Sequence, residues 1–158
     1  LKVHPRLNAA LIDNAVHQYS SINLGVAIDI EAGLVVPVLR DAEKLSLTQI
    51  AAEVRVLADK ARTSSLEPAD FQNGTFTVSN LGGLGVDWFT PVLNPPQAAI
   101  LGVGRIRSAP VVTGGEVEVG QMATLVVTFD HRVLDGAPCA RFLTDLKALI
   151  ESPEALTP

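Results

Sequence analysis

In the first quarter of the chain, Ile22, Leu24, Val26, Ile28 and Ile30 alternate with Asn23, Gly25, Ala27 and Asp29. A period of two sends neighbouring side chains to opposite faces, so this segment is predicted as a strand with one face buried. The apolar run at residues 34–39 contains Pro37, which cannot donate to a ladder and limits the run to an edge position or an irregular strand end. The spacing then changes. Leu47, Ile50, Ala51, Val54, Leu57, Ala58 and Ala61 recur at three and four, with Glu53, Arg55, Asp59, Lys60 and Arg62 on the other side, which predicts an amphipathic helix. Ser46 and Gln49 form a capping box at its start, and Leu45 with Ile50 can staple it. Residues 75–78 read as a strand running into a loop at 79–85, followed by a proline-rich stretch at 91–96. Residues 98–104 and 124–129 are apolar runs of buried-strand length. Gly114 and Gly115 between valine-rich segments signal a two-residue hairpin turn. A last helix is predicted from near Gly136, burying Ala140, Leu143, Leu146, Leu149 and Ile150 and ended by Glu151, Ser152 and Pro153. Leu1, Lys2 and Val3 read as the end of a helix that starts upstream. Strands, a helix, more strands and a helix imply an α/β sandwich with a mixed sheet, without the regular alternation of a dinucleotide-binding fold.

Composition fits this picture and narrows the partners. Of 158 residues, 47% are hydrophobic and 18% charged, the balance of one globular domain with a real core. A net charge of −5 provides no basic field for nucleic acid. The one cysteine, Cys139, permits no internal disulfide and suggests a reducing compartment. No apolar run approaches the roughly 18 residues of a membrane span, and the first residues are not a signal peptide, so a soluble, cytosolic protein is expected.

Candidate chemistry concentrates after the last strand. His131 follows an apolar strand directly and precedes a helix, which places it at a sheet rim. A neutral imidazole accepts a proton near pH 7 and could help generate a thiolate, although a capped surface histidine would have the same setting. Asp130, Arg132 and Asp135 supply charges beside it. Asp135 also stands where a helix N-cap belongs, before Gly136, Ala137 and Pro138, and capping is compatible with orienting a catalytic loop. Arg132 reads as a structural ion-pair partner. Ser79 could donate a hydrogen bond to an oxyanion, act as a nucleophile, or be a turn serine; the nucleophile-elbow pattern is absent. The spacing of Gly82, Gly83 and Gly85 is not that of a dinucleotide or phosphate loop. His4 and His17 lack partners at metal-ligand spacing, so both are expected at the surface and no metal site is predicted. Trp88 and Phe89 read as core or channel wall.

Several segments together carry a resemblance. Asp130-His131-Arg132-Val133-Leu134-Asp135-Gly136 resembles the D-H-R-x-x-D-G signature of the dihydrolipoamide acyltransferase (E2) components of 2-oxo acid dehydrogenase complexes. Phe76-Thr77-Val78-Ser79-Asn80-Leu81-Gly82, Phe89-Thr90-Pro91, the segment from Asn94 to Gly102, Gly33-Leu34-Val35-Val36-Pro37-Val38 and His4-Pro5-Arg6-Leu7-Asn8 resemble five further family segments. They occur in the family's order and cover nearly the whole chain. The resemblance implies a chloramphenicol-acetyltransferase-like fold and transfer of an acyl group, acetyl or branched-chain, between dihydrolipoamide and coenzyme A. It implies His131 as general base, Ser79 as oxyanion donor, Asp135 as a residue holding the site together, and Phe89 and Leu101 along the coenzyme A and lipoamide channel. It implies a homotrimer with the site between subunits, so that His131 and Ser79 come from neighbouring chains. A 24-mer or 60-mer core could form from such trimers. The lipoyl group would sit on a separate domain, with E1 and E3 components bound through domains outside this chain, in a bacterial cytoplasm or a mitochondrial matrix.

Residues 1–158 are therefore expected to form the catalytic domain without its N-terminal portion, whose basic groups help bind coenzyme A in the family. The last eight residues lack the apolar ending with which many members join trimers. Two other readings stay open: an inactive, core-forming fragment, and another coenzyme-A-dependent acyltransferase of the same fold.

Overall fold

The computed structural model describes residues 1–152 and 154. Its elements run β1 (Ala9–Ile12), β2 (Ala15–Gln18), β3 (Leu24–Ile30), β4 (Gly33–Val35), β5 (Val38–Leu39), α1 (Leu47–Arg62), β6 (Phe76–Asn80), β7 (Ala99–Val103), β8 (Arg107–Thr113), β9 (Glu116–Met122), β10 (Leu125–Phe129) and α2 (Gly136–Glu151). The main sheet has the order β10-β7-β6-β3-β4, with β5 also paired to β3. The pairs β3–β6 and β6–β7 are parallel, and the others in this sheet are antiparallel, so the sheet is mixed as expected. Pro37 breaks the run at 34–39 into β4 and β5, yet its carbonyl still accepts from the Val26 N–H at 2.9 Å.

The register fixes what each face carries. Leu24, Phe76, Val78, Leu101, Val127 and Phe129 point to the helical side. There α2 buries Cys139 and Phe142, and the Phe142 ring meets Phe76 edge-on at 6.0 Å. Leu7, Val133 and Leu134 complete this cluster. Under α1 a second cluster gathers Ile22, Ile28, Leu39, Ala42, Leu57 and Ala61. The opposite face carries Gly25, Ala27, Thr77, Ser79, Ile100, Gly102, Val126 and Thr128.

Helix α1 begins as predicted. The Ser46 hydroxyl accepts from the Gln49 N–H at 3.2 Å, and the Gln49 carbonyl oxygen accepts from the Ser46 N–H at 2.8 Å. Its buried stripe is shorter than predicted, because Leu47 and Ala51 lie in the exposed first turns. In α2 the predicted face is rotated. Leu143 and Leu146 are half-buried, but Ala140, Leu149 and Ile150 face solvent, while Cys139 and Phe142 point inward. The helix ends with Ser152 donating to the Ala148 carbonyl, and Pro153, expected to stop it, lies outside the described residues, as do residues 155–158 of the predicted non-apolar ending. Leu1, Lys2 and Val3 form a turn closed by the His4 N–H to the Leu1 carbonyl, not a helix end. β10 is half-buried rather than fully buried, because among the described residues it pairs with β7 alone.

Gly114 and Gly115 both take positive φ, +61° and +92°, and close the β8–β9 hairpin predicted for them. One face of this ribbon is apolar: Pro110 lies opposite Val119 and Val112 opposite Val117, all exposed. No helix among the described residues is long and apolar enough to cross a membrane.

Candidate active site

The turn after β10 is built to project one side chain. The Asp130 N–H continues the ladder by donating to the Ala98 carbonyl at 2.8 Å. The Asp130 carboxylate accepts from the Arg132 N–H at 2.9 Å and from the Arg132 guanidinium, Nη2 at 2.6 Å. This paired cation holds the Asp130 carboxyl below the usual carboxylate range. The Val133 and Leu134 N–H groups fold back onto the Asp130 carbonyl, and both side chains sink into the core. With those two residues as pegs, His131 and Asp135 must point out, and each side chain is 73% exposed.

His131 Nδ1 lies 3.5 Å from Asp135 Oδ1, and the imidazole packs on the Phe129 ring at 5.4 Å between centroids. Asp135 occupies the N-cap position of α2 with extended backbone, but its side chain caps no helix N–H. The capping half of the sequence expectation is thus overturned. The carboxylate stands beside Nδ1 of the imidazole instead, and Nε2 is the ring nitrogen away from it. Arg132 is the structural ion-pair partner it was expected to be.

Ser79 lies within β6, one residue before its end, rather than in the loop. Its lateral neighbours are Ala27 on β3 and Gly102 on β7, so small residues flank the hydroxyl on both sides. A Cβ on Gly102 would stand 3.2 Å from the Phe89 ring and 3.1 Å from Pro91. That close approach seats half-buried Phe89 beside Ser79's own row. Leu101, expected in the same channel, is 8% exposed in the core on the other face of the sheet. Strand alternation explains the correction, since Leu101 adjoins Gly102 and must point the opposite way. Trp88, expected in core or channel wall, is exposed.

One chain does not bring Ser79 and His131 together. Ser79, Gly102 and Val126 form one row across β6, β7 and β10. His131 lies five residues beyond Val126, past the end of an antiparallel strand, so the two side chains are about 20 Å apart at the strand rise and spacing. Groups serving one reacting carbonyl must each come within about 3 Å of their targets. Ala27 and Gly102, whose small size opens the serine row, carry no local sequence signal, because their pairing with Ser79 depends on register.

His4 is not a free surface group: its Nε2 lies 2.8 Å from Asp145 Oδ2 on α2 and its ring meets Phe142. Cys139 is buried, and burial pushes its thiol pKa up, which disfavours a thiolate there. Among the described residues no group of three or more His, Cys, Asp or Glu could hold a metal ion.

Comparison with known proteins gives concordant matches. The family described as 2-oxoacid dehydrogenases acyltransferase (catalytic domain) matches residues 1–157. The dihydrolipoyllysine-residue acetyltransferase component of the acetoin cleaving system of Bacillus subtilis is 44% identical over 99% of this chain, which spans 39% of that relative's length. A dihydrolipoamide acetyltransferase structure from Azotobacter vinelandii superposes with a TM-score of 0.94 at 39% identity, covering 99% of this chain and 65% of that one. The cubic core of a pyruvate dehydrogenase multienzyme complex gives the same TM-score, identity and coverages.

Proposed function

This chain belongs to the family of 2-oxoacid dehydrogenase acyltransferase catalytic domains, and from that premise we propose that it transfers an acetyl group from dihydrolipoamide to coenzyme A, with His131 as general base. The observation that carries the assignment of roles is the outward imidazole beside Asp135, on a turn that Val133 and Leu134 peg into the core. Nε2 takes the proton of the coenzyme A thiol, whose reference pKa is near that of cysteine, about 8.5. The thiolate sulfur attacks the thioester carbon of acetyl-dihydrolipoamide. The new C–S bond forms, and the carbonyl electron pair moves onto oxygen. Ser79 Oγ–H donates to that oxyanion. When the intermediate collapses, the C–S bond to dihydrolipoamide breaks, and the departing thiolate recovers the proton from the imidazolium. Asp135 stabilises that imidazolium and keeps the ring oriented. No metal is required, and the lipoyl group arrives on a domain outside this chain.

Because Ser79 and His131 lie at opposite ends of the sheet in one chain, the proposed site forms between neighbouring chains of a homotrimer. Larger cores assembled from such trimers, and association with E1 and E3 components, extend the proposal to the whole protein. In the Azotobacter vinelandii enzyme a serine, a histidine and an asparagine, at the same intervals as Ser79, His131 and Asp135 here, have been investigated for roles in the catalytic mechanism, which supports these three positions. Acetyl is favoured over branched acyl groups because the Bacillus subtilis and Azotobacter vinelandii relatives are acetyltransferases and because Phe89 closes over Gly102 beside Ser79.

The test is thioester formation from coenzyme A with acetyl-, isobutyryl- and succinyl-dihydrolipoamide. A preference for acetyl, abolished by His131→Ala, supports the reading. A preference for isobutyryl replaces acetyl with a branched acyl group. No transfer by the full-length protein with any donor favours a structural, core-forming role instead.

A further inference from the structure

The face of the sheet that carries Ser79 also holds polar side chains for which the transfer steps above have no use. Thr77, two residues before Ser79 on β6, is 1% exposed, and Gln97 is 6% exposed. The Thr77 hydroxyl donates to Gln97 Oε1 at 2.6 Å and accepts from Asn94 Nδ2 at 3.4 Å. A hydroxyl has one proton to give, so these bonds run in one direction, from Asn94 through Thr77 to Gln97. Glycines make room for them. A Cβ on Gly25 would stand 2.7 Å from Thr77 Oγ1, and one on Gly74 would stand 2.8 Å from Gln97 Nε2.

What these bonds hold is the segment that covers the serine row. Residues 86–97 lie between the turn that follows β6 and the start of β7, and they are tied at their front and at their rear. At the front, the Arg105 N–H donates to the Val86 carbonyl at 2.8 Å, and the Arg105 guanidinium pairs with Asp87. At the rear, Asn94 and Gln97 grip Thr77, and the Pro96 carbonyl accepts from the Leu11 N–H at 3.3 Å beside an Ala10–Gln97 bridge. Between these ties Phe89 and Pro91 rest on Gly102 by contact alone. Dispersion contacts fix distance but little direction, whereas the rear tie is directional and buried.

We propose that Thr77 and Gln97 are positioning residues: their buried hydrogen bond sets where Phe89 sits over Gly102, and so the shape of the acyl-binding space beside Ser79. The role rests on the acyltransferase reading for what is positioned, but the positioning itself has an independent readout, amide hydrogen exchange across residues 86–97.

The experiment uses the full-length protein, its Thr77→Val and Thr77→Ser variants, and the double variant Thr77→Val with Gln97→Met. The double variant removes both polar partners and keeps the volume, so it folds even where a lone unpaired amide would not. In both valine-bearing proteins, exchange across 86–97 should rise about tenfold while the rest of the sheet is unchanged. The kcat for acetyl transfer should fall about tenfold with the KM for coenzyme A held within about twofold, and the acetyl-to-isobutyryl ratio should shrink. Thr77→Ser, which keeps the hydroxyl, should restore parental values. A folded double variant with parental exchange across 86–97 overturns the proposal, as does parental exchange with parental kcat in Thr77→Val. If the parent transfers no acyl group to coenzyme A, the acyltransferase reading fails, and the exchange result alone decides the positioning role.

Discussion

Asp135 stands just outside α2 and leaves the helix amides alone, so its removal should leave the helix largely intact. A lost aspartate cap typically costs about 1 kcal/mol; Asp135→Ala should cost well under that in thermal unfolding and still lower kcat. His131→Ala should lower acyl transfer by about 10²–10⁴-fold without unfolding the domain. Ser79→Ala should lower kcat by about 10²-fold with little change in KM. The neighbouring carboxylate behaves differently with pH. Arg132 depresses the Asp130 pKa in the folded state, so the pair's contribution is present above the ordinary aspartate pKa, near 3.8, and is lost as pH falls through the depressed value. Asp130→Asn should therefore lower the melting temperature at pH 7, and the gap to the parent should narrow toward pH 3. At this scale the candidate side chains are legible in the sequence, because a histidine after an apolar strand is conspicuous. The roles of Asp135 as non-cap and of Leu101 as core are not, since they depend on where a side chain turns and on which face a strand presents.

Elements were more legible where a local rule sufficed. The Ser46–Gln49 capping box and the Gly114–Gly115 turn each follow from two residues, and both formed. Ser46→Ala should cost about 1 kcal/mol, read from urea unfolding at constant m-value. Helix α2 shows where local rules fail. Cys139, Ala140, Phe142, Leu143, Leu146, Leu149 and Ile150 are too many apolar residues for one stripe, so two overlapping faces were available. The choice fell to Phe142, whose ring meets Phe76 across the core, a partner 66 residues away in sequence. Gly102 raises the same difficulty within a strand. Its meaning lies in the approach of Phe89, and Gly102→Ala should displace that ring and lower acetyl transfer more than it lowers stability, a difference measured by comparing kcat with melting temperature.

At the scale of the whole molecule, the separation of Ser79 from His131 is the most consequential feature. The expectation of a shared site came from resemblance; the register gives it a geometric reason, because β10 runs antiparallel to β6 and delivers the histidine to the far end of the sheet. Two inactive variants should therefore rescue each other. Equal amounts of Ser79→Ala and His131→Ala chains, unfolded together and reassembled at random, place both intact groups in about a quarter of interfacial sites. Transfer should return to about a quarter of the parental rate, whereas a site contained in one chain would give none. The β8–β9 ribbon has its own consequence for handling this protein. With Val112, Val117 and Val119 at 72–80% exposure on one side, dissolved chains attract one another more strongly as sulfate raises the cost of wet hydrocarbon. Light scattering should show the second virial coefficient turning negative at lower sulfate than for a Val117→Thr, Val119→Thr variant, which would tie the salting-out of this chain to a single ribbon face.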